Sequence, residues 1–320
     1  MAQSDLLDTV KRPLSPDAYI EIPASRSEYE RVQRILEEED AKYPNLQYDG
    51  FREVAIVSAA PSPLHGDMAG GMVGRILVSV ATMPGIDQNI KDGLSLSNER
   101  SNTTGAGDTS TTRSWDGALT YMTHEGESLM IAVEVGFSQT YESLRAAISY
   151  SVCALRCRVG IAMSINEGDR GTAPPVRYYD TGDERLAAIR EIEHHLDSQL
   201  QTNPFGPLRI GEEIWFGRVT KVVLETYRLE DETSPPEALL DPTQSFTIVE
   251  NGRWVGDEVP PNLAEITIGD CIPTHILTGN SITATPVNFF EQDWFENRFR
   301  LSMLRTVMER VWDKSKVQRV

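Results

Sequence analysis

The stretch Leu129-Met130-Ile131-Ala132-Val133-Glu134-Val135 decides how this chain folds. Its apolar residues predict a buried strand, and Glu134 is the one charged residue within it. Because an unpaired charge is costly to bury, the stretch also predicts a partner for that carboxylate. A helix-like segment from about Thr140 leads to a second apolar run, 159–165. A helix between two strands of one sheet makes a right-handed crossover, so we expect the two runs to be adjacent and parallel.

A second carboxylate, Asp116, lies near the start of a shorter strand-like run, 114–121. Mg²⁺ in proteins is held by one or two carboxylates, with waters and substrate phosphate as further ligands. Two acids on adjacent strands therefore predict a site for Mg²⁺ or Mn²⁺, with the carboxylates of Asp116 and Glu134 within about 4 to 6 Å of each other. The structural alternative is that Asp116 is a carboxylate at the edge of the sheet, and that Glu134 lies at a strand end and is paired with an arginine such as Arg113 or Arg158.

The order strand, acid, hairpin, strand, acid, helix, strand over residues 48–166 resembles the core of the PD-(D/E)XK nuclease superfamily, the restriction-endonuclease-like fold. The segment Glu134-Val135-Gly136-Phe137-Ser138 is similar to a branch, with fungal-type relatives, that has Glu-Val-Gly-x-Ser after the second acid. The segment 60–65 resembles that branch's entry into its first core helix, and we expect this helix to begin at about Gly66. The resemblance implies an α/β fold with a mixed central sheet flanked by helices, and the activity of a magnesium-dependent hydrolase of phosphodiester bonds.

The resemblance also implies roles for single residues. The catalytic residues would be Asp116, Glu134, Ser138 and Arg145. The two acids would hold Mg²⁺, with the backbone carbonyl of Val135 or Gly136 completing its shell, while Ser138 and Arg145 would bind the scissile phosphate. His65 and Arg113 would contact substrate. The local alternatives are that His65 stabilises the turn before its helix, and that Ser138 caps the next helix.

The lysine expected two residues after the second acid is missing. In active members of the family this lysine positions and activates the attacking water, but here the position is Gly136. No lysine occurs from residue 92 to residue 220, so the nearest lysines in sequence are Lys91 and Lys221. Arg145, on the following helix, can stabilise a phosphate, but its pKa is too high for it to act as a base. Two functions stay open: a nuclease, and a nuclease-like fold without that activity, acting as an interaction module or on a small molecule.

The composition is that of a globular protein. The chain has 320 residues, of which 40% are hydrophobic and 24% charged, and its formal net charge is −18. This charge argues against tight nonspecific binding of nucleic acid and against an anionic membrane surface as partner. The net charge does not exclude the binding of nucleic acid in a local cleft.

No apolar stretch approaches the ~20 residues of a membrane span, and the N-terminus lacks the pattern of a secretion signal. These observations predict an intracellular protein of the cytoplasm or nucleus.

The three cysteines do not form a disulfide framework, because their number is odd. Cys153 and Cys157 lie four residues apart on a predicted helix, and Cys271 is remote in sequence. We interpret them as buried thiols, with metal ligation as the alternative. The pair His194-His195 is predicted to lie on a helix surface, again with metal binding as the alternative.

The chain divides into an extended N-terminal segment (1–24), a nuclease-like core (25–170) and a C-terminal extension (171–320) packed on that core. A Ser27-x-x-Glu30 capping box predicts a helix to about Asp40, and the stretch 98–112 predicts a loop. In the extension we expect a helix over 183–201, strands over 212–229, 245–249 and 263–268, and a long helix over 289–312. The aromatic residues of that last helix predict that it closes the core or forms a homodimer interface.

Overall fold

The computed structural model describes residues 5–15, 17–40, 44–97, 101–105, 110–124, 126–137, 139–168, 174–229, 234–277 and 282–317. The helices, in chain order, are α1 (Asp5–Lys11), α2 (Arg26–Glu38), α3 (Pro63–Ala81), α4 (Gln88–Lys91), α5 (Tyr141–Cys153), α6 (Gly182–Thr202), α7 (Ile268–Cys271) and α8 (Gln292–Lys314). The strands are β1 (Tyr19–Pro23), β2 (Asn45–Asp49), β3 (Val54–Ser58), β4 (Leu94–Ser97), β5 (Ser101–Thr104), β6 (Thr111–Ser114), β7 (Gly117–Thr123), β8 (Gly126–Gly136), β9 (Val159–Glu167), β10 (Arg177–Tyr179), β11 (Leu208–Ile210), β12 (Glu213–Phe216), β13 (Val219–Tyr227), β14 (Gln244–Glu250), β15 (Arg253–Trp254) and β16 (Ser315–Val317).

The central sheet has seven strands in the order β15-β14-β13-β9-β8-β7-β4. Strands β8 and β9 run parallel, with Glu134 opposite Ala162, and the other neighbours are antiparallel. Helix α5 connects the parallel pair, as the two apolar runs predict. The predicted α/β class, with a mixed sheet between helices, is confirmed. Strands β13, β14 and β15 come from beyond residue 170, so the C-terminal half shares the sheet of the core.

A second sheet has five strands in the order β1-β3-β2-β6-β5. It includes the N-terminal segment: residues 1–24 were expected to be extended or poorly ordered, but within the described part they form α1 and the edge strand β1. The polar stretch 98–112, expected to be a loop, contributes β5 and β6, with residues 98–100 and 106–109 outside the described part. Its threonines explain the difference, because β-branched side chains favour strands.

The central sheet has a core on each face. Helices α3, α6 and α8 cover one face, where Ile131, Val133 and Val135 of β8 are buried. Helix α5 covers the other, where Ala132 packs against residues such as Leu144 and Ile148. Because side chains alternate along a strand, Glu134 lies on the same face as Ala132, beneath α5.

Helix α8 closes the core rather than standing apart from it. Its residues Phe295, Phe299, Met303 and Val307 are fully buried against the large cluster on the α3 face. The prediction that its aromatic residues complete the core is confirmed, and the homodimer alternative stays a prediction. Trp312, near the end of the helix, remains 46% exposed. Within the described residues, no helix combines the length and apolar character needed to cross a membrane.

Two helices begin earlier than their patterns predicted. Helix α2 is capped by Ser25, whose hydroxyl accepts a hydrogen bond from the Glu28 N–H, and not by Ser27. Helix α3, expected from about Gly66, begins at Pro63 with Ser62 as its cap. Proline suits the first helical position because the N–H it lacks would have no helical partner there.

The strand predicted over 212–229 is interrupted between β12 and β13. Gly217 lies at the break: its N–H donates to Glu167 Oε1 at 2.6 Å, and a Cβ there would collide with the carbonyl oxygen of Gly168. The prediction of a strand over 263–268 is wrong. A short 3-10 turn and α7 replace it, because Thr267 and Asp270 form a capping box that begins a helix.

The structure agrees with the interpretation of the three cysteines as buried thiols and of the two adjacent histidines as surface residues of a helix. Cys153, Cys157 and Cys271 are free and buried, and burial raises the pKa of Cys157 to about 12. Cys157 lies beyond the end of α5, not on the helix as predicted. His194 and His195 are exposed on α6.

Candidate functional site

Asp116 lies in the short break where the chain passes from one sheet to the other. The run 114–121, expected to be one strand, consists of the end of β6 in the five-stranded sheet and the start of β7 in the seven-stranded one. Gly117 permits the break, since a Cβ there would lie 3.2 Å from the carbonyl oxygen of Ala69 in α3. The backbone N–H of Val135 donates to Asp116 Oδ2 at 2.7 Å. This bond fixes the Asp116 carboxylate beside β8.

Glu134 faces Asp116 from within the sheet. Its side chain is buried, and the two carboxyl groups are within hydrogen-bonding range of each other. Burial raises the pKa of Glu134 well above its usual range, and the charge of Asp116 raises it further, while Arg113 and His65 oppose the change. The structure therefore brings the two predicted acids together, at a buried place where a negative charge on Glu134 beside Asp116 is unfavourable.

His65, the third residue of α3, lies between two carboxylates. Its Nε2 is 2.9 Å from Asp116 Oδ2 and its Nδ1 is 3.5 Å from Asp17 Oδ1. Both ring nitrogens are buried, and neither N–H is aligned for a hydrogen bond, so these contacts are ion pairs. Burial alone would lower the pKa of His65, but the charges of Asp116 and Asp17 outweigh it and raise that pKa to about 10. His65 is therefore a cation at neutral pH.

Asp17 is a site residue that the sequence did not indicate. It lies just before β1, in the segment expected to be extended, and only 6% of its surface is exposed. The backbone N–H of Ser62 donates to its Oδ1 at 2.6 Å. Burial would raise the pKa of Asp17, but His65 and this hydrogen bond lower it. Asp17 thus holds His65 in place from the side opposite Asp116.

Arg113 is paired with Asp49, and not with Glu134 as the structural alternative proposed. Its Nη2 lies 2.6 Å from Asp49 Oδ2, and both side chains are buried. Asp49, at the end of β2, is a second partner that sequence reasoning missed. The charge of Arg113 still acts on Glu134, where it opposes the rise in pKa.

These groups surround a cavity of about 70 Å³, which we call the acid cavity. The lining residues that matter for its chemistry are Tyr19, His65, Arg113, Trp115, Asp116 and Glu134. Tyr19 comes from β1, and its hydroxyl accepts a hydrogen bond from Ser143 of α5 at 2.7 Å. The five-stranded sheet therefore forms one wall of the cavity.

A larger cavity of about 380 Å³ lies next to it and shares Arg113 in its wall. Arg145 lines this larger cavity and not the acid cavity. Its guanidinium donates to the Leu240 carbonyl at 2.6 Å and to the carboxylate of Asp241. Lys91 and Lys221, the other candidate cations, do not line the acid cavity. Ser138 lies outside the described residues.

The position of the missing lysine is filled by a core residue. A Cβ at Gly136 would lie 2.9 Å from Leu144 Cδ2 and 3.3 Å from Gln139 Cγ. Leu144, a residue of α5, is itself buried. A side chain at residue 136 could not point toward the acids unless Leu144 moved. The cations near Glu134 are instead Arg113 and His65.

The residues present fit one weakly held divalent cation. Across the described residues there is no group of three or more His, Cys, Asp or Glu side chains suited to a metal ion. Mg²⁺ needs only one or two carboxylates, however, and the close pair of acids supplies them. A cation here would take the place of the proton that the raised pKa of Glu134 retains.

Comparisons with protein-family models, with curated proteins and with solved structures found no match for this chain. The resemblance to the PD-(D/E)XK superfamily therefore rests on the motif residues and on the order of the elements that carry them.

Proposed function

We propose that this chain is a metal-dependent phosphodiester hydrolase of the PD-(D/E)XK type, with Asp116 and Glu134 as the metal ligands. The observation that carries the proposal is the buried pair of facing carboxyl groups: burial raises the pKa of Glu134, and the charge of Asp116 raises it further. A second observation supports it. Asp116 just before β7, the β7–β8 hairpin, Glu134 in β8, helix α5 and strand β9 follow one another in the order that the resemblance implies.

The chain's own residues have distinct tasks in this proposal. Asp116 and Glu134 would bind the ion, which when bound would polarise the phosphate and make water a better nucleophile. His65, held by Asp17, would fix the orientation of Asp116, whose Oδ2 also accepts the Val135 N–H. Arg113 would place a permanent positive charge beside the phosphate. In this proposal Arg113, and not Arg145, is the arginine that serves the site.

The small size of the acid cavity and the net charge of −18 favour a substrate that inserts one phosphate locally over one held along a broad surface. A nucleic-acid end or a small phosphorylated molecule meets that condition.

The second candidate is a nuclease-like protein that does not cleave. Leu144 fills the place of the lysine, and Arg145 is tied to Asp241 away from the acids. On this alternative the fold would serve as an interaction module or act on a small molecule.

A metal-binding and cleavage experiment with a matched control tests the proposal. Mg²⁺ or Mn²⁺ binding is measured by calorimetry, and cleavage of single-stranded DNA and RNA is followed in parallel. Glu134→Gln should abolish metal binding and lower cleavage by at least about 10²-fold, as expected for loss of a charge-stabilising group. Glu225→Gln is the control: Glu225 is also buried, lies opposite Ala162 in the sheet, and bonds Tyr141, Tyr227 and Ser245 outside the acid cavity.

Metal binding by wild type and the control, together with metal-dependent cleavage, would support the hydrolase. Metal binding without cleavage would favour the second candidate. Equal background cleavage in wild type and Glu134→Gln would retire the nuclease hypothesis.

A further inference from the structure

The larger cavity, of about 380 Å³, has the size of a small-molecule site. It is lined by the five-stranded sheet, by α5 and by residues 236–239. Hydrogen bonds hold two of these walls in place. In the β2–β3 turn, Asp49 Oδ1 accepts the backbone N–H of Phe51 at 3.2 Å. Residues 236–239 lead into Leu240, whose N–H donates to Ser149 Oγ of α5 at 3.0 Å. The cavity is therefore preformed, which reduces the ordering cost of binding a ligand.

Two exposed apolar side chains line this cavity from different walls. Phe51 is 42% exposed and Leu239 is 52% exposed. Phe51 belongs to the β2–β3 turn, and Leu239 to the segment held on α5. Single exposed apolar residues are ordinary, but two that line one cavity offer apolar surface that a flat ring can cover. Further apolar lining comes from Ala146, Pro236 and Ala238.

The charged side chains of the wall are balanced in sign. The buried Arg113 and Asp49 pair with each other at 2.6 Å. The other charged lining residues are two arginines and two glutamates: Arg52, Arg145, Glu142 and Glu237. The two arginines keep 39% and 22% of their side-chain surface exposed, although each also pairs with a carboxylate that does not line the cavity. Both glutamates are exposed. The wall thus offers a ligand both hydrogen-bond donors and acceptors.

The mixed polarity of the wall selects the chemistry of the ligand. Guanidinium groups only donate hydrogen bonds, and ionised carboxylates only accept them. A simple anion supplies only acceptors and would be repelled by Glu142 and Glu237. A simple cation supplies only donors and would be repelled by Arg52 and Arg145. A purine or pyrimidine base carries donors and acceptors along the edge of one flat ring, and the face of that ring stacks on aromatic side chains.

We infer that the larger cavity binds the base of a nucleoside, with the flat face of the base on Phe51 and its polar edge toward the charged side chains. The size agrees, because a nucleoside has about 20 non-hydrogen atoms and about 380 Å³ has room for at least roughly 25 water-sized groups. The inference goes beyond the proposed hydrolase and does not rest on it, since none of the residues that it uses is a proposed metal ligand.

Nucleoside binding to the full chain, without added metal, tests the inference. Adenosine, guanosine, cytidine and uridine are each titrated by calorimetry, with ribose as the probe that lacks a base. At least one nucleoside should bind with a Kd below about 1 mM, and ribose should not bind. Benzoate and benzylammonium are the charged aromatic probes. No saturable binding of any nucleoside, or tighter binding of ribose, benzoate or benzylammonium than of every nucleoside, would overturn the inference.

Three alanine variants locate the site. Phe51→Ala removes the ring and should weaken nucleoside binding roughly tenfold or more, the loss expected for one stacked base. Leu239→Ala should weaken binding by a smaller factor. Its matched control is Leu96→Ala, because Leu96 is a similarly exposed leucine on β4 that does not line the cavity. Equal nucleoside affinity of wild type and Phe51→Ala would contradict the assignment of the base to this cavity.

A measurement on the wild-type protein covers the case in which Phe51→Ala does not fold. The leucine methyl groups are labelled with carbon-13, and the Leu239 signals are assigned by their loss in Leu239→Ala. They should shift as the nucleoside is added, because the ring current of a bound base acts on nearby methyl groups, while the Leu96 signals stay in place. Unmoved Leu239 signals at saturating nucleoside would refute the inference. Cleavage without nucleoside binding would refute this inference alone, and nucleoside binding without metal-dependent cleavage would refute the hydrolase alone.

Discussion

His65 shows how neighbours at the scale of single residues reverse the effect of burial. Because Asp17 and Asp116 raise its pKa from 6.5 to about 10, the imidazolium stabilises the fold most below pH 6.5. That contribution is lost as pH rises through 10, and corresponds to at most about 5 kcal/mol. We therefore expect the free energy of unfolding to fall between pH 6.5 and 10, and His65→Gln to remove much of this slope.

Urea denaturation at several pH values between 6 and 10 measures the effect. His195→Gln is the control, because His195 is exposed on α6. An unchanged slope in His65→Gln would show that His65 is not held as a cation between the two acids. The same measurement tests the role of Asp17, since Asp17→Asn should lower the pKa of His65 and move the transition to lower pH.

The site residues divide according to whether their own sequence neighbourhood reveals them. Glu134 was predictable because a charge inside an apolar run is unusual, and Asp116 and Arg113 because they lie near the strand that pairs with it. Asp17 and Asp49 were not, because their partners are 48 and 64 residues away in sequence. The alternating segment Tyr19-Ile20-Glu21-Ile22 did carry a strand signal that would have placed Tyr19 on β1.

At the scale of elements, glycines mark where helices and strands approach closely. Gly136→Ala should destabilise the protein by about 1–2 kcal/mol, because the new methyl group meets Leu144 at 2.9 Å. Gly74→Ala, in the interior of α3, meets nothing within 4 Å and should stabilise by up to about 1 kcal/mol. Thermal unfolding of both variants measures the difference. Equal effects of the same sign would contradict the close packing of β8 on α5.

The strands and the crossover could be predicted because apolar runs and their length reflect burial directly. The break within the strand predicted over 212–229 and the start of α7 could not be predicted. The break at Gly217 depends on Glu167 and Gly168 at the end of β9. The start of α7 depends on the Asp270 side chain, which also pairs with Arg228. Gly71 is similar: the arginine and tryptophan that crowd it belong to α8, more than 220 residues later. Such contacts leave no periodic signal in the sequence.

At the scale of the whole molecule, the two halves of the chain complete each other. Strand β9 pairs with β13 on the side opposite β8, and α8 covers the apolar face of α3. A chain ending at residue 170 would expose the edge of β9 and the apolar face of α3. We expect it to lack cooperative thermal unfolding and a near-ultraviolet circular dichroism spectrum, both of which the full chain should show. A sharp transition in the truncated chain would mean that the predicted core, 25–170, folds alone.

Arg113 belongs to both cavities, and this makes them thermodynamically linked. A ligand in the larger cavity that draws the guanidinium toward itself leaves less positive charge near Glu134, and so favours the protonated form of that acid. Reciprocity then requires that ionising Glu134 weaken the same ligand by the same factor. The two cavities would then be coupled through the single buried side chain of Arg113.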